Sequence, residues 1–209
     1  MLSLRTVRVQ IGDAESLFNT RTRPLNDAPA SSGGSSVVYI MSRDQRVADN
    51  HALLAAQRDA LDRRLPLIVL FRLYPSVANR LRQHYRFMMD GLEQVERRLA
   101  GLNIPLVVTA VDLLESLAEH DPAAIYFDFS PLRGPRALRE KNAAQIAAPT
   151  YEVDTHNVVP IWEASDKQEY AARTIRPKIH RVLDMYLVEP DRVREHPHTI
   201  GGVKPVDWE

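Results

Sequence analysis

Five short runs that read as strands punctuate the chain, the first four mainly apolar, and a helical pattern separates each run from the next. They are "VVYI" (Val37 to Ile40), "PLIVLF" (Pro66 to Phe71), "IPLVV" (Ile104 to Val108), "AIYFDF" (Ala124 to Phe129) and "TYEVDT" (Thr150 to Thr155). Between the first two, Val47, Leu54, Leu61 and Leu65 recur at helical spacing from Arg46 to Arg64. Between the second and third, Leu81, Tyr85, Met88, Leu92, Val95, Leu99 and Leu102 alternate steps of four and three. That seam predicts a core-facing helix over about Asn79 to Leu102. "VDLLESLAEH" and "PLRGPRALREKNAAQIA" supply two more helices. Strands joined through helices pair in parallel with right-handed crossovers. The fold class is therefore α/β: an open, doubly wound, mostly parallel five-stranded sheet with helices on both faces (Rossmann-like).

The flanks are less regular. Residues 1–35 end in "NDAPASSGGSS", a composition that predicts a flexible lead-in before a domain spanning 36–187. "HNVVPIWEASDKQEYAARTI" reads as a long loop, and Pro177 is positioned to start a last helix. Residues 188–209 show no period and read as a linker.

Absences narrow the chemistry. The 209 residues include no cysteine, which excludes thiolate catalysis, disulfides and cysteine metal sites. Formal charge is zero, so nothing draws the whole molecule to a polyanion. No apolar run is long enough to span a bilayer and no signal peptide is evident, so no membrane partner and a cytoplasmic location are expected. No glycine occurs between Gly34 and Gly91, so the turn after the first strand lacks the residue that lets backbone approach a pyrophosphate. "HPH", His196 to His198, has no third metal ligand in view.

Two turns at strand ends carry the candidate binding residues; no catalytic or metal-ligating residue is assigned. The first holds Met41, Ser42, Arg43, Asp44 and Gln45. Ser42 and Gln45 have capping-box spacing, and Asp44 suits a helix start. Two arginines at a helix start do not fit that account. The second holds Asp128, Phe129, Ser130, Leu132 and Arg133, with Ser130 and Pro131 reading as a helix N-cap and first position. If the first and fourth strands are neighbours, the two turns flank the switch-point crevice. Walls bearing Arg43, Phe129 and Arg133 would suit a flat polar aromatic ligand. A third cluster, Ala164 to Arg181, has five Lys/Arg against two acids and reads as a solvated or self-paired face.

Together, "MSRDQRVADNHALL", "DFSPLR", "VDTHNVVPIW" and "ASDKQEYAARTIRPKI" resemble the N-terminal domain of class II cyclobutane-pyrimidine-dimer DNA photolyases. "RTRPLND", Arg21 to Asp27, fits the same family's lead-in. His51 departs from it, since the family commonly has tryptophan there. The resemblance implies light-driven DNA repair, in which a flavin donates an electron to a flipped-out pyrimidine dimer. It also implies a downstream helical domain that binds FAD and the damaged DNA; the chain ends at Glu209, where that domain is expected to begin. Trp162 and Trp208 are accordingly not assigned to electron transfer. For this domain the resemblance implies an antenna pigment, of deazaflavin type in class II, and packing on the FAD domain. The rivals are a free-standing pigment-binding or docking module, and a remnant that binds nothing.

Overall fold

The computed structural model describes residues 20–30, 33–74 and 81–208. Six strands form one sheet: β1 (Thr22–Pro24), β2 (Ser36–Met41), β3 (Leu67–Arg72), β4 (Leu106–Thr109), β5 (Pro122–Asp128) and β6 (Thr150–Val153). The helices are α1 (His51–Arg63), α2 (Arg82–Ala100), α3 (Leu113–Ala118), α4 (Arg133–Ala143), α5 (Ile161–Ala164) and α6 (Ala172–Tyr186). The spatial order is β1-β6-β5-β2-β3-β4. Every pairing is parallel except β1 with β6. The doubly wound α/β sheet expected from the sequence is therefore present, and β2 and β5 are neighbours as the crevice requires.

Strand alternation sorts the core into two layers. Val37, Tyr39, Met41, Leu67, Val69 and Phe71 face α1 and the C-terminal half of α2. Val38, Ile40, Ile68, Leu70, Ile125 and Phe127 face the other way, toward Leu113 and Leu117 of α3. Both faces are covered, which is why these strands are apolar throughout.

Several boundaries differ from the sequence expectation. The lead-in is not wholly flexible: Thr22–Pro24 adds an antiparallel edge strand, making six strands rather than five. Arg21 holds it by donating to the carbonyls of Asn157 and Val158, at 2.8 and 2.5 Å. Gly34 is there for geometry rather than flexibility. Its φ is +140°, and a Cβ would lie 2.4 Å from the backbone nitrogen of Ala123.

The first helix starts at His51, not Arg46, with Asn50 as its cap. The seam of α2 is buried only at Leu92, Val95 and Leu99, whereas Leu81 is 57% exposed. A helix of this length runs roughly 28 Å, longer than the strands beside it, so its N-terminal half overshoots the sheet's carboxyl edge. Leu132, not Ser130, precedes α4; Ser130 Oγ instead accepts from the Leu132 N–H at 3.4 Å. The long loop contains α5, and α6 begins at Ala172 with Pro177 inside it. In the basic cluster Lys178 pairs with Glu169 at 2.6 Å.

The tail at 188–208 has no regular structure but is not a loose strand of chain. Gln57 and Arg194 exchange side-chain and backbone hydrogen bonds at 2.7 and 2.9 Å. His196 is fully buried, its Nε2 2.8 Å from the Leu65 carbonyl. Trp208 donates to Glu96 at 2.6 Å.

Two predictions follow from these contacts. Gly34→Ala is expected to cost more than about 2 kcal/mol in urea denaturation, because backbone meets backbone at the start of β5. An unchanged midpoint would refute that close approach. Burial lowers the pKa of His196, and burial together with Arg21 lowers that of His51 to about 4. The native state thus binds fewer protons than the unfolded chain, whose histidines titrate near ~6.5. Stability is fully present above that pH and falls as pH drops from there toward about 4. Thermal melts over this window should show His51→Gln with a shallower acid loss than the parent; identical slopes would contradict the assignment.

Candidate functional site at the carboxyl edge of the sheet

The turn after β2 is organised around one carboxylate. Asp128, at the end of β5 and 2% exposed, accepts the backbone N–H groups of Ser42, Arg43 and Asp44 on Oδ2 at 2.8, 2.8 and 3.0 Å. The Ser42 hydroxyl lies 3.3 Å from the same oxygen, and Tyr39 donates to Oδ1 at 2.7 Å. Asn50 donates in turn to the Tyr39 oxygen and to the carbonyls of Asp44 and Arg46, at 3.0, 3.0 and 2.9 Å. Burial raises the Asp128 pKa above the usual carboxylate value, and the hydrogen bonds from Tyr39 and the turn offset only part of that rise. Every partner donates, which suits the acceptor-only ionised form. In a nucleotide-binding sheet, successive N–H groups at this position would hold a phosphate. Here they are already engaged.

Around the locked turn lies a cavity of about 600 Å³. Its floor is the ends of three adjacent strands: Ile40 and Met41 of β2, Phe71 and Arg72 of β3, Phe127 and Asp128 of β5. Leu132, Leu138, Arg139 and Asn142 form the α4 wall, and Met88 of α2 closes the opposite side. Most of the lining surface is apolar, with polar groups from Ser42, Arg72, Ser130 and Asn142 among it. Arg72 Nε is buried without an acceptor among the described residues. Arg139 pairs with Glu152 at 2.5 Å and donates to the Asp128 carbonyl at 3.4 Å, while its Nε, like that of Arg72, is buried without an acceptor among the described residues.

The sequence-derived candidates divide accordingly. Met41, Ser42, Arg43, Gln45, Asp128, Ser130 and Leu132 line the cavity. Asp44 does not; it is buried against Arg46 at 2.6 Å. Gln45 donates to the Ser42 carbonyl at 3.0 Å, so the pair closes a local turn rather than capping a helix. Phe129 is also outside the cavity. Its N–H bonds the Val153 carbonyl at 3.0 Å, and its ring meets Trp162 edge-on at 5.6 Å. Arg133 is exposed on the first turn of α4 and does not line the cavity. Among the lining residues outside those candidates, Phe71 and Arg72 lie on β3 and Leu138 and Asn142 on α4. The end of β3 was accessible to reasoning, because it flanks the same switch point; the facing side of α4 was not, since its first residue was misplaced. Among the described residues no group of three or more His, Asp or Glu is placed to hold a metal, and no helix is long and apolar enough to cross a membrane.

The DNA photolyase family model matches residues 37–198, which includes every strand from β3 to β6 and most of β2. The chain belongs to the DNA photolyase family. A deoxyribodipyrimidine photo-lyase of Potorous tridactylus is 46% identical over 82% of this chain and 34% of its own length. One from Arabidopsis thaliana is 35% identical over 98% of this chain and 42% of its own. The chain thus spans well under half of these photolyases. The crystal structure of a bacterial class III photolyase from Agrobacterium tumefaciens shares the fold, with TM-score 0.58 and 17% identity over 88% of this chain and 39% of that one.

Because Asp128 is the acceptor for three consecutive amides, Asp128→Ala is expected to destabilise the domain by about 3 kcal/mol and to speed amide exchange at Ser42, Arg43 and Asp44. Asp128→Asn should lie between. Unchanged exchange at these three amides would mean the turn holds itself.

Proposed function

We propose that this chain is the antenna-pigment domain of a class II DNA photolyase, and that it binds a deazaflavin-type pigment in the cavity at the carboxyl edge of β2, β3 and β5. The observation that carries the reading is the cavity itself: mainly apolar, bounded by strand ends, and large enough for a fused ring system. Arg72 Nε, a buried donor without an acceptor among the described residues, suits a ring carbonyl. The Asn142 side chain, also on the cavity, suits a ring edge that both donates and accepts.

FAD does not fit here in the same way. A dinucleotide needs a diphosphate cradle, and the amides after β2 are taken by Asp128. FAD and dimer-containing DNA therefore belong to a helical domain in the part of the relatives that lies outside the match. Exposed apolar side chains on and beside α5 and α6, including Ile161, Tyr170, Met185 and Leu187, suit packing against such a partner. In this assignment the bound pigment supplies absorption and passes excitation to the flavin. This chain's residues bind and orient it and keep water from its ring.

The purified chain, incubated with hydroxy-deazaflavin and desalted, is expected to retain a red-shifted pigment band. Leu138→Trp, which fills the cavity from a partly exposed helix position, should abolish retention with an unchanged circular dichroism spectrum. A bare protein spectrum for the parent would overturn the antenna assignment. Given FAD and light, these 209 residues alone are expected to leave dimers in DNA unrepaired; measurable repair would defeat the division of labour.

A further inference from the structure

A second cavity, of about 620 Å³, lies beyond the β2 turn. Arg43, Gln45 and Arg46 form one side, and the overshooting half of α2 forms the other with His84, Tyr85 and Phe87. Three residues, Arg43, Gln45 and Met88, line both cavities, so the two adjoin across them. Their chemistry differs. The first is mainly apolar; the second, among the described residues, has two arginines and a histidine in its lining and no carboxylate. Arg46 is partly neutralised by Asp44 at 2.6 Å and by Asp49 at 4.0 Å. Arg43 is exposed, and its guanidinium makes no hydrogen bond or ion pair among the described residues. Phe87 is 83% exposed, an apolar ring left in solvent beside these cations. Gly91 faces the same space, and a Cβ there would meet nothing within 4 Å.

We infer that this groove is a subsite for an anionic side chain, so that the preferred ligand is a flat ring carrying a phosphate or carboxylate tail. The inference rests on the pigment assignment above and adds the chemical class of the ligand's second half. The ring would occupy the cavity at the strand ends. The tail would pass Arg43 and Gln45 and end among Arg43, Arg46 and His84. A neutral tail would leave Arg43 without a charged partner among the described residues. An acidic one gives it a charge-assisted partner.

The test compares three ligands bearing the same hydroxy-deazaflavin ring, by fluorescence titration of the chain at low salt. One has a neutral ribityl tail, one its terminal phosphate, and one a phosphodiester extended by glutamates. At least one acidic form is expected to bind about tenfold more tightly than the neutral form. If the phosphate form carries the whole gain, phosphate is the group read; if the gain appears only on extension, the carboxylates are. The advantage should shrink in high salt. Measured against the neutral form in the same variant, the advantage should vanish in the double variant Arg43→Gln, His84→Gln, both at exposed positions. Equal affinities for all three ligands would overturn the tail subsite and leave the ring assignment standing. An advantage that survives the double variant would also overturn it. Failure of all three to bind would overturn both.

Discussion

The arrangement of the carboxyl edge depends on one carboxylate meeting three consecutive amides. Asp128 comes from β5 and the amides from the turn after β2, so the contact joins the two halves of the sheet at its switch point. A turn without glycine does not easily bring its backbone around a large phosphate. It can wrap a single carboxylate delivered on a neighbouring strand. Tyr39 and Asn50 complete the network from β2 and the α1 cap. Asp128, Tyr39 and Asn50 are buried and paired with one another, which is the condition under which a buried polar network specifies one arrangement. The β2 turn thus forms one rim of the cavity without contributing a phosphate cradle.

Much of the fold was legible because strand burial and helix spacing leave strong periodic traces. β2, β3 and β5 are covered on both faces, so their runs are apolar without interruption, and the doubly wound order follows from the helices between them. The edge was harder. β1 is three residues long, and its register with β6 depends on Arg21 reaching carbonyls more than 130 positions away. No local pattern encodes such a contact. Helix starts were misplaced for a related reason. Ser42 and Gln45 have capping spacing, but the amides that would define a helix start there are drawn to Asp128 instead, and the helix waits for Asn50.

At the site, adjacency of the two turns was readable and side-chain direction was not. Met41, Ser42, Arg43, Gln45, Ser130 and Leu132 do border one cavity. Phe129 sits one residue past the end of β5, where the alternation that orients Phe127 no longer applies, and Trp162 claims its ring. Arg72 and Asn142 were missed because neither stands in a recognisable turn motif. Arg72 matters through its buried Nε, which has no acceptor among the described residues although the same guanidinium pairs with Asp112 at 3.3 Å.

The return of residues 188–208 across the domain bears on the order in which it is made. Their contacts with Gln57, Leu65 and Glu96 span 137, 131 and 112 positions. Such distant closures carry a large loop entropy and come late in folding. During synthesis the sheet and its helices emerge first, and part of the α1 and α2 surface waits uncovered. The His196 pocket can close only once residues 188–208 have been made, so protection of that face waits on their return rather than on the helices themselves.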